Sequence, residues 1–195
     1  MIEKTLIASG ITNIAGCDEA GRGPCAGPLV IAAVILKFPL VPELSDIADS
    51  KTLPESKREI LFEAIVSNAA AYSIIEIPNT EIDMKGLHKC NLEGMRRAIS
   101  SLSLKPDYVL TDGYEIDGLE SPALAVWKGD QVSISVGAAS ILAKVYRDRI
   151  MVAMDAKFPG YGFADHKGYI TSKHTAALVE LGVTEIHRRS FANIS

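Results

Sequence analysis

The chain has 195 residues, of which 48% are hydrophobic and 23% charged, and its net charge of −4 gives no bulk attraction to nucleic acid. This length and composition exclude disordered and fibrous proteins and predict a single domain over residues 1–195. No apolar run reaches the roughly 18 residues of a membrane span, no secretory signal is visible and three cysteines are too few for a disulfide framework, so we expect a cytoplasmic protein without a membrane partner.

Strands and helices follow one another along the chain. Residues 29–36 are a continuous apolar run, β-branched at half its positions, which is typical of a buried strand. In chain order we predict a strand over 13–17, a glycine-rich loop over 21–28, a strand over 29–36, a loop over 37–54, a helix over 55–68, a strand over 72–77, a helix over 87–102, strands over 108–111 and 123–127, and helices over 135–157 and 172–181. This order predicts an α/β or α+β domain with a mixed sheet, its first two strands forming a hairpin.

Carboxylates follow three of the predicted strands: Asp18-Glu19, Asp112 and Asp130. Strand ends line up along one edge of a sheet, and carboxylates that meet there repel one another unless cations lie between them. Oxygen-rich sites of this kind suit Mg²⁺ or Mn²⁺, and a pair of such ions about 4 Å apart cleaves phosphodiesters. For Asp112 and Asp130, each beside a glycine, ordinary turn chemistry is the alternative.

The adjacent pair Asp18-Glu19 carries a geometric condition. Neighbouring side chains on a strand point to opposite faces of the sheet. Both carboxylates therefore serve one site only if the strand ends or bends there, which the glycines that follow would permit.

The segment Gly21-Arg22-Gly23 is glycine-rich but is not a dinucleotide-binding fingerprint, which requires a helix after the glycines. Here Pro24 and Pro28 lead into a strand instead. The glycines allow close approach of the backbone to a ligand, and exposed N–H groups of such a loop suit phosphate or sugar.

Charge is unevenly distributed along the chain. Residues 140–195 carry 8 Lys and Arg against 5 Asp and Glu, whereas residues 1–139 carry 12 against 19. This asymmetry is typical of a metal-dependent enzyme acting on a polyanion, although scatter in surface charge explains it equally well. We expect Lys144 and Lys173 to contact backbone phosphates, and His187-Arg188-Arg189 to be either a phosphate-facing patch or a solvated surface. The spacing of the four histidines predicts no zinc site.

Several ordered motifs together closely resemble ribonuclease HII. They are Gly16-Cys17-Asp18-Glu19-Ala20-Gly21-Arg22-Gly23-Pro24, Asp49-Ser50-Lys51, Thr111-Asp112-Gly113, Lys128-Gly129-Asp130, Arg147-Asp148, His166-Lys167-Gly168-Tyr169 and His187-Arg188-Arg189. The resemblance covers nearly the whole chain. It implies an RNase H-like fold, with a central mixed five-stranded sheet flanked by helices and a helical C-terminal portion. It also implies an endoribonuclease that hydrolyses the RNA strand of RNA–DNA hybrids and nicks duplex DNA 5′ of single ribonucleotides, leaving 3′-hydroxyl and 5′-phosphate ends.

The resemblance also implies roles for individual residues. The family's catalytic and metal-binding acids fall on Asp18, Glu19, Asp112 and Asp130, with two Mn²⁺ or Mg²⁺ ions as cofactors during catalysis. The implied substrate-binding residues are Gly21, Arg22 and Gly23, whose backbone contacts the 2′-hydroxyl, Tyr169, which stacks on the next sugar, and Lys51 near the phosphates. The implied partners are RNA–DNA hybrids and ribonucleotide-containing duplex DNA, and we expect a monomer that acts in ribonucleotide excision repair.

Two alternatives remain at this point. One is a different nuclease on the same fold, such as a resolvase or a ribonuclease HIII-like enzyme. The other is a nucleic-acid-binding module without catalysis, which is disfavoured because four clustered acids repel phosphate unless metals are present.

Overall fold

The structure is a computed structural model that describes residues 2–49, 53–192 and 194. Five strands form its sheet: Ile14–Ala20 (β1), Leu29–Leu36 (β2), Ala69–Ile77 (β3), Tyr108–Asp112 (β4) and Ala123–Val126 (β5). Their order is β3-β2-β1-β4-β5. The pairs β1/β2 and β2/β3 are antiparallel, whereas β1/β4 and β4/β5 are parallel. The mixed five-stranded sheet and the β1/β2 hairpin are therefore confirmed.

Helices surround this sheet. Within the described ranges the α-helices are Ile2–Ala8 (α1), Glu55–Asn68 (α2), Asn79–Lys85 (α3), Leu87–Ser100 (α4), Gly129–Val132 (α5), Ile134–Lys157 (α6), Phe163–His166 (α7) and Ser172–Leu181 (α8), with a 3₁₀ helix over Pro42–Asp49. None of these helices is both long and apolar enough to cross a membrane. The predicted loop over 37–54 was wrong in part, because it contains the 3₁₀ helix, and the short helices α1, α3, α5 and α7 were not predicted.

The sheet is covered on both faces, which explains the unbroken apolar run of β2. Val30, Ala32 and Val34 pack towards α6 on one face, and the residues between them pack towards α4 on the other. A strand buried on both faces has no solvated side, and every position is therefore apolar.

Gly16 sets the close approach of α6 to β1. A Cβ atom at this position would lie 2.0 Å from the carbonyl carbon of Ser135, so only glycine lets the start of the helix rest on the strand. The same end of α6 is fixed by the buried Glu3 of α1, whose Oε1 accepts from the hydroxyl of Ser133 at 2.6 Å and from the amide of Ser135 at 3.0 Å. This contact brings Ser140 of α6 to the side of β1 that carries Asp18.

Candidate active site

The two acids of β1 lie on opposite faces of the sheet. The strand does not end before them, as the sequence pattern suggested, but continues through Ala20, paired with β2. Asp18 therefore points towards α6, where the Ser140 hydroxyl hydrogen-bonds to it, and Glu19 points towards α4, where Asn91 lies beside its carboxyl. The strand therefore does not end at the acids, because the backbone hydrogen bonds of the hairpin carry it past them, and the two carboxyls are related instead through Asp112, which interacts with both.

Asp112 connects these two carboxyls electrostatically. It is the last residue of β4, beside β1, and its negative charge raises the pKa of both Asp18 and Glu19. Burial is the largest cause of each shift. It raises the pKa of Asp18 well above its usual range, with repulsion from Glu19 next, and it raises the pKa of Glu19 to about 7 against the opposing charge of Arg22. Asp18, Glu19 and Asp112 therefore lie together near the carboxyl ends of β1 and β4, in a negative and poorly solvated region that we call the acidic edge.

The fourth acid is placed by a turn rather than by a strand end. β5 stops at Val126, and Asp130 lies buried in the short helix α5. Oδ1 of Asp112 accepts a hydrogen bond from the amide of Gly129 at 2.7 Å, directly before Asp130, while Lys128 adopts the left-handed conformation with φ of 53°. The expectation of an acid at the end of a third strand was wrong in this detail. The contact nevertheless joins the segment of Asp130 to that of Asp112.

The acids fit a divalent cation in their chemistry. Carboxylate oxygens are the ligands that Mg²⁺ and Mn²⁺ prefer, and Oε2 of Glu19 is buried without a hydrogen-bond partner in the described part of the chain. Within that same part, no group of three or more His, Cys, Asp or Glu side chains forms a ready-made coordination shell.

The glycine-rich loop borders the acidic edge. Gly21 has φ of +97°, and a Cβ there would lie 2.1 Å from Nε of Arg147, so the loop requires glycine at this point. The side chain of Arg22 turns back to the acids, with its Nη1 3.5 Å from Oε1 of Glu19 and its guanidinium 5.0 Å from the centre of the Tyr114 ring. Arg22 therefore belongs to the acidic edge by its side chain and to the loop by its backbone.

A cleft of about 390 Å³ lies between this loop, α2 and α6. Tyr169 forms part of its wall and is half exposed, and its Cε1 atom lies 3.1 Å from the position that a Cβ of Gly23 would take. The cleft is lined by Glu19, Ala20, Gly21, Arg22, Gly23, Arg58, Ser140, Ile141, Lys144, Arg147 and Tyr169. The structure thus brings the predicted loop and tyrosine together, beside Glu19. Lys51 lies outside the described residues.

The C-terminal basic motif is not a surface patch. His187 and Arg188 are fully buried, and only Arg189 of the three is exposed. Both expectations, a phosphate-facing patch and a solvated surface, were wrong for the first two residues. The side chain of Arg188 donates to backbone carbonyls of the glycine-rich loop instead.

Four further residues of the site were not predicted as such: Arg58, Asn91, Ser140 and Arg147. Arg147 had a sequence signal, because it stands in the Arg147-Asp148 motif that resembles ribonuclease HII. It is buried and donates to the carbonyls of Pro28, Lys167 and Ala26 at 3.0, 2.9 and 3.0 Å. Asn91 and Ser140 have no such signal, since only the packing of α4 and α6 against β1 brings them to the acids.

A mixed five-stranded sheet with helices on both faces and acids along the β1/β4 edge defines an enzyme of the RNase H-like fold. The family model described as ribonuclease HII matches residues 15–194, and the chain belongs to this family. A ribonuclease HII from Salinispora arenicola (strain CNS-205) is 54% identical over 194 residues, covering 100% of this chain and 72% of that protein. The activity of the chain is accordingly that of a ribonuclease H, which hydrolyses RNA in RNA–DNA hybrids.

Solved structures agree with this assignment. The crystal structure of ribonuclease H2 from Pyrococcus horikoshii OT3 is similar with a TM-score of 0.81 at 29% identity, over 93% of this chain and 95% of that chain. Bst-RNase HIII in complex with Mn²⁺ is similar with a TM-score of 0.72 at 18% identity, over 94% of this chain and 68% of that chain, a likeness of fold alone.

Proposed function

We propose that this enzyme, besides cleaving the RNA strand of hybrids, nicks duplex DNA on the 5′ side of a single embedded ribonucleotide and leaves 3′-hydroxyl and 5′-phosphate ends. The observation that carries the proposal is that the acidic edge, the glycine-rich loop and the ring of Tyr169 meet at one cleft. Glu19 lines the same cleft as Gly21, Gly23 and Tyr169. A single bound duplex could therefore contact the acids and the nucleotide-recognising groups at the same time.

The acids Asp18, Glu19, Asp112 and Asp130 would hold two divalent ions, Mn²⁺ or Mg²⁺. Ions of this kind activate an attacking water and stabilise the leaving oxygen. The raised pKa values of Asp18 and Glu19 support the assignment, because a cation removes the repulsion that contributes to both shifts. A protein of the same fold, Bst-RNase HIII, has a solved structure in complex with Mn²⁺.

The rest of the cleft would position the substrate. A single 2′-hydroxyl is the only chemical difference between a ribonucleotide and its deoxyribonucleotide neighbours, so the protein must place a donor or acceptor against it. We assign this contact to the backbone of Gly21, Arg22 and Gly23, with Tyr169 stacking on the next sugar. Lys144 and Arg58, on the cleft wall, would neutralise phosphates, and we assign Lys51 the same role.

We further propose that residues 1–195 act as one catalytic domain, since all five strands belong to one sheet, and that this domain acts as a monomer. The three cysteines are free and buried, which supports a reducing compartment, the cytoplasm. Nicking beside an embedded ribonucleotide is the opening step of ribonucleotide excision repair, and we place the enzyme there.

The test is a cleavage assay on three duplexes of one sequence: all DNA, DNA with one ribonucleotide, and DNA with a longer RNA stretch. Each is incubated with Mg²⁺, then with Mn²⁺, then with chelator. We expect nicks 5′ of the ribonucleotide with either ion and none with chelator. Cleavage of the longer stretch alone would identify a hybrid nuclease that does not recognise single ribonucleotides. Binding without cleavage of any duplex would favour the non-catalytic module.

A further inference from the structure

Arg188 anchors the glycine-rich loop from beneath. Its Nη2 donates to the carbonyl oxygen of Gly21 at 2.6 Å, its Nη1 to that of Arg22 at 3.2 Å and its Nε to that of Gly27 at 3.1 Å. The side chain is completely buried and is not part of the cleft wall. One planar guanidinium thus fixes three carbonyls of a loop that lies more than 160 residues away in sequence.

The direction of these carbonyls determines the direction of the loop amides. In a trans peptide unit the carbonyl of one residue and the N–H of the next point to opposite sides. The carbonyls of Gly21 and Arg22 point inward to Arg188, and the N–H groups of Arg22 and Gly23 therefore point away from it. Both residues line the cleft, whereas Arg188 is not among the residues of its wall.

The C-terminal segment is itself held in place by the loop. The amide of Arg188 donates to the carbonyl of Cys25 at 2.8 Å and the amide of Gly27 donates to that of Ile186 at 2.9 Å, around an antiparallel bridge between Ala26 and His187. These backbone bonds hold the two segments together without any side chain of Arg188. Holding the loop against the C-terminal segment therefore does not by itself explain the buried guanidinium of Arg188, because removing a charge from water costs free energy.

We propose that Arg188 is a positioning residue for recognition of the ribonucleotide: it orients the amides of Arg22 and Gly23 so that they meet the 2′-hydroxyl. This inference rests on the proposed function, which assigns the hydroxyl to that backbone. It distinguishes Arg188 from residues that bind phosphate, because its loss weakens discrimination between ribose and deoxyribose and leaves affinity for plain duplex DNA in place.

The experiment measures dissociation constants for two duplexes, all DNA and DNA with one ribonucleotide, in the Asp112→Asn background so that no cleavage intervenes. The ratio of the two constants reports recognition of the single hydroxyl. The variants are Arg188→Met, which removes every donor, and Arg188→Lys, which keeps the charge and donates to fewer carbonyls. Arg189→Lys is the matched control, since Arg189 is the exposed neighbour.

We expect the ratio to fall about tenfold in Arg188→Met, the equivalent of one good hydrogen bond, and by a smaller factor in Arg188→Lys, with all-DNA affinity unchanged. The control keeps the ratio of the parent protein. A parent ratio well above one that persists in both Arg188 variants overturns the inference while leaving the proposed function intact. Should Arg188→Met fail to fold, Arg188→Lys decides alone. The proposed function itself is refuted, and the inference with it, by two results together: the parent protein binds both duplexes equally, and the protein with Asp112 restored does not nick the ribonucleotide duplex.

Discussion

The Nε2 atoms of His174 and His187 lie 3.1 Å apart, and the hydrogen bond between them belongs to a chain that ends at the backbone of Tyr169. The amide of Thr184 donates to Nδ1 of His187 at 2.8 Å. Neutral His187 therefore carries its proton on Nε2 and donates it to His174, whose Nδ1–H in turn donates to the carbonyl of Tyr169 at 2.9 Å. Both histidines are thus neutral, each in one tautomer, and they hold the backbone of the cleft tyrosine.

The first prediction concerns pH and stability. Burial lowers the pKa of His187 to about 4, with repulsion from His174 as the second cause, whereas an unfolded histidine titrates near 6.5. Between these values the unfolded state binds the proton and the folded state does not. The stabilisation is complete above about pH 6.5 and is lost as the pH falls towards 4, with a slope of up to about 1.4 kcal/mol per pH unit for one proton.

Denaturant unfolding of the parent protein and of His187→Gln across this pH range checks the slope. We expect the variant to be less stable at pH 7 and its free energy of unfolding to fall less steeply with acidification. His88→Gln, at an exposed histidine, is the control and should follow the parent curve. Parallel curves for the parent protein and His187→Gln would contradict a buried neutral His187.

The second prediction separates the two loop glycines, which the sequence pattern treats alike. Gly21→Ala meets a left-handed φ, the guanidinium of Arg147 at 2.1 Å and the carbonyl of Pro28 at 2.8 Å, and should destabilise the fold by about 1–3 kcal/mol. The three atoms nearest to a Cβ at Gly23 all belong to the ring of Tyr169, the closest at 3.1 Å. Gly23→Ala should therefore fold normally, displace that ring and lose cleavage. Thermal unfolding together with cleavage rates separates the two effects, and equal loss of stability in both variants would refute the distinction.

Much of the fold follows from local sequence patterns, whereas the support of the site does not. The apolar run of β2 and the bounds of α2 and α8 are readable because periodicity and breakers act over a few residues. Arg188 is different. Two arginines after a histidine indicate a charged surface, and the burial of Arg188 is compensated by the carbonyls of Gly21, Arg22 and Gly27, which the fold brings to its guanidinium.

The histidines illustrate the same limit. Their spacing along the chain shows no cluster, yet His166 stacks on His174 with ring centres 4.4 Å apart, and His174 meets His187. The ring nitrogens of His166 are engaged as well, by the carbonyl of Tyr161 and the amide of Gly168. Proximity in space, set by α7, α8 and the C-terminal segment, brings them together.

The third prediction tests the acidic edge. Asp112→Asn removes a negative charge that raises the pKa of Asp18 and Glu19, while its amide oxygen still accepts from Gly129. We expect turnover to be abolished and the apo protein to be at least as stable as its parent. Cleavage assays and denaturant unfolding in chelator measure both, with the exposed Glu115→Gln as control. A variant that keeps its activity would remove Asp112 from the proposed site, and a variant that unfolds would contradict the expected relief of repulsion.

The fourth prediction concerns Tyr169. If its ring stacks on the sugar, Tyr169→Ala should lose about 1–3 kcal/mol of binding to the single-ribonucleotide duplex, the range for an aromatic stacking contact with nucleic acid. Tyr169→Phe should keep most of the activity, because the stacking surface remains. For the parent protein and both variants, cleavage rates and dissociation constants are measured on the ribonucleotide duplex, and dissociation constants on the all-DNA duplex serve as the control. Equal activity of the parent protein and Tyr169→Ala would overturn the stacking role and leave a packing residue.

The last prediction uses salt to locate the phosphate-binding surface. Lys144 lines the cleft, and its Nζ lies 2.8 Å from Oδ1 of Asp148, whereas Lys173 is exposed, paired with Asp165 and not part of the cleft wall. Each phosphate contact contributes about one unit to the slope of log affinity against log salt. Lys144→Gln, which keeps a donor for Asp148, should therefore flatten the slope by about one unit. Lys173→Gln should leave it unchanged, although the sequence alone assigned phosphates to both lysines. A slope that changes only in Lys173→Gln would show that the DNA binds along the surface of α8 and not in the cleft.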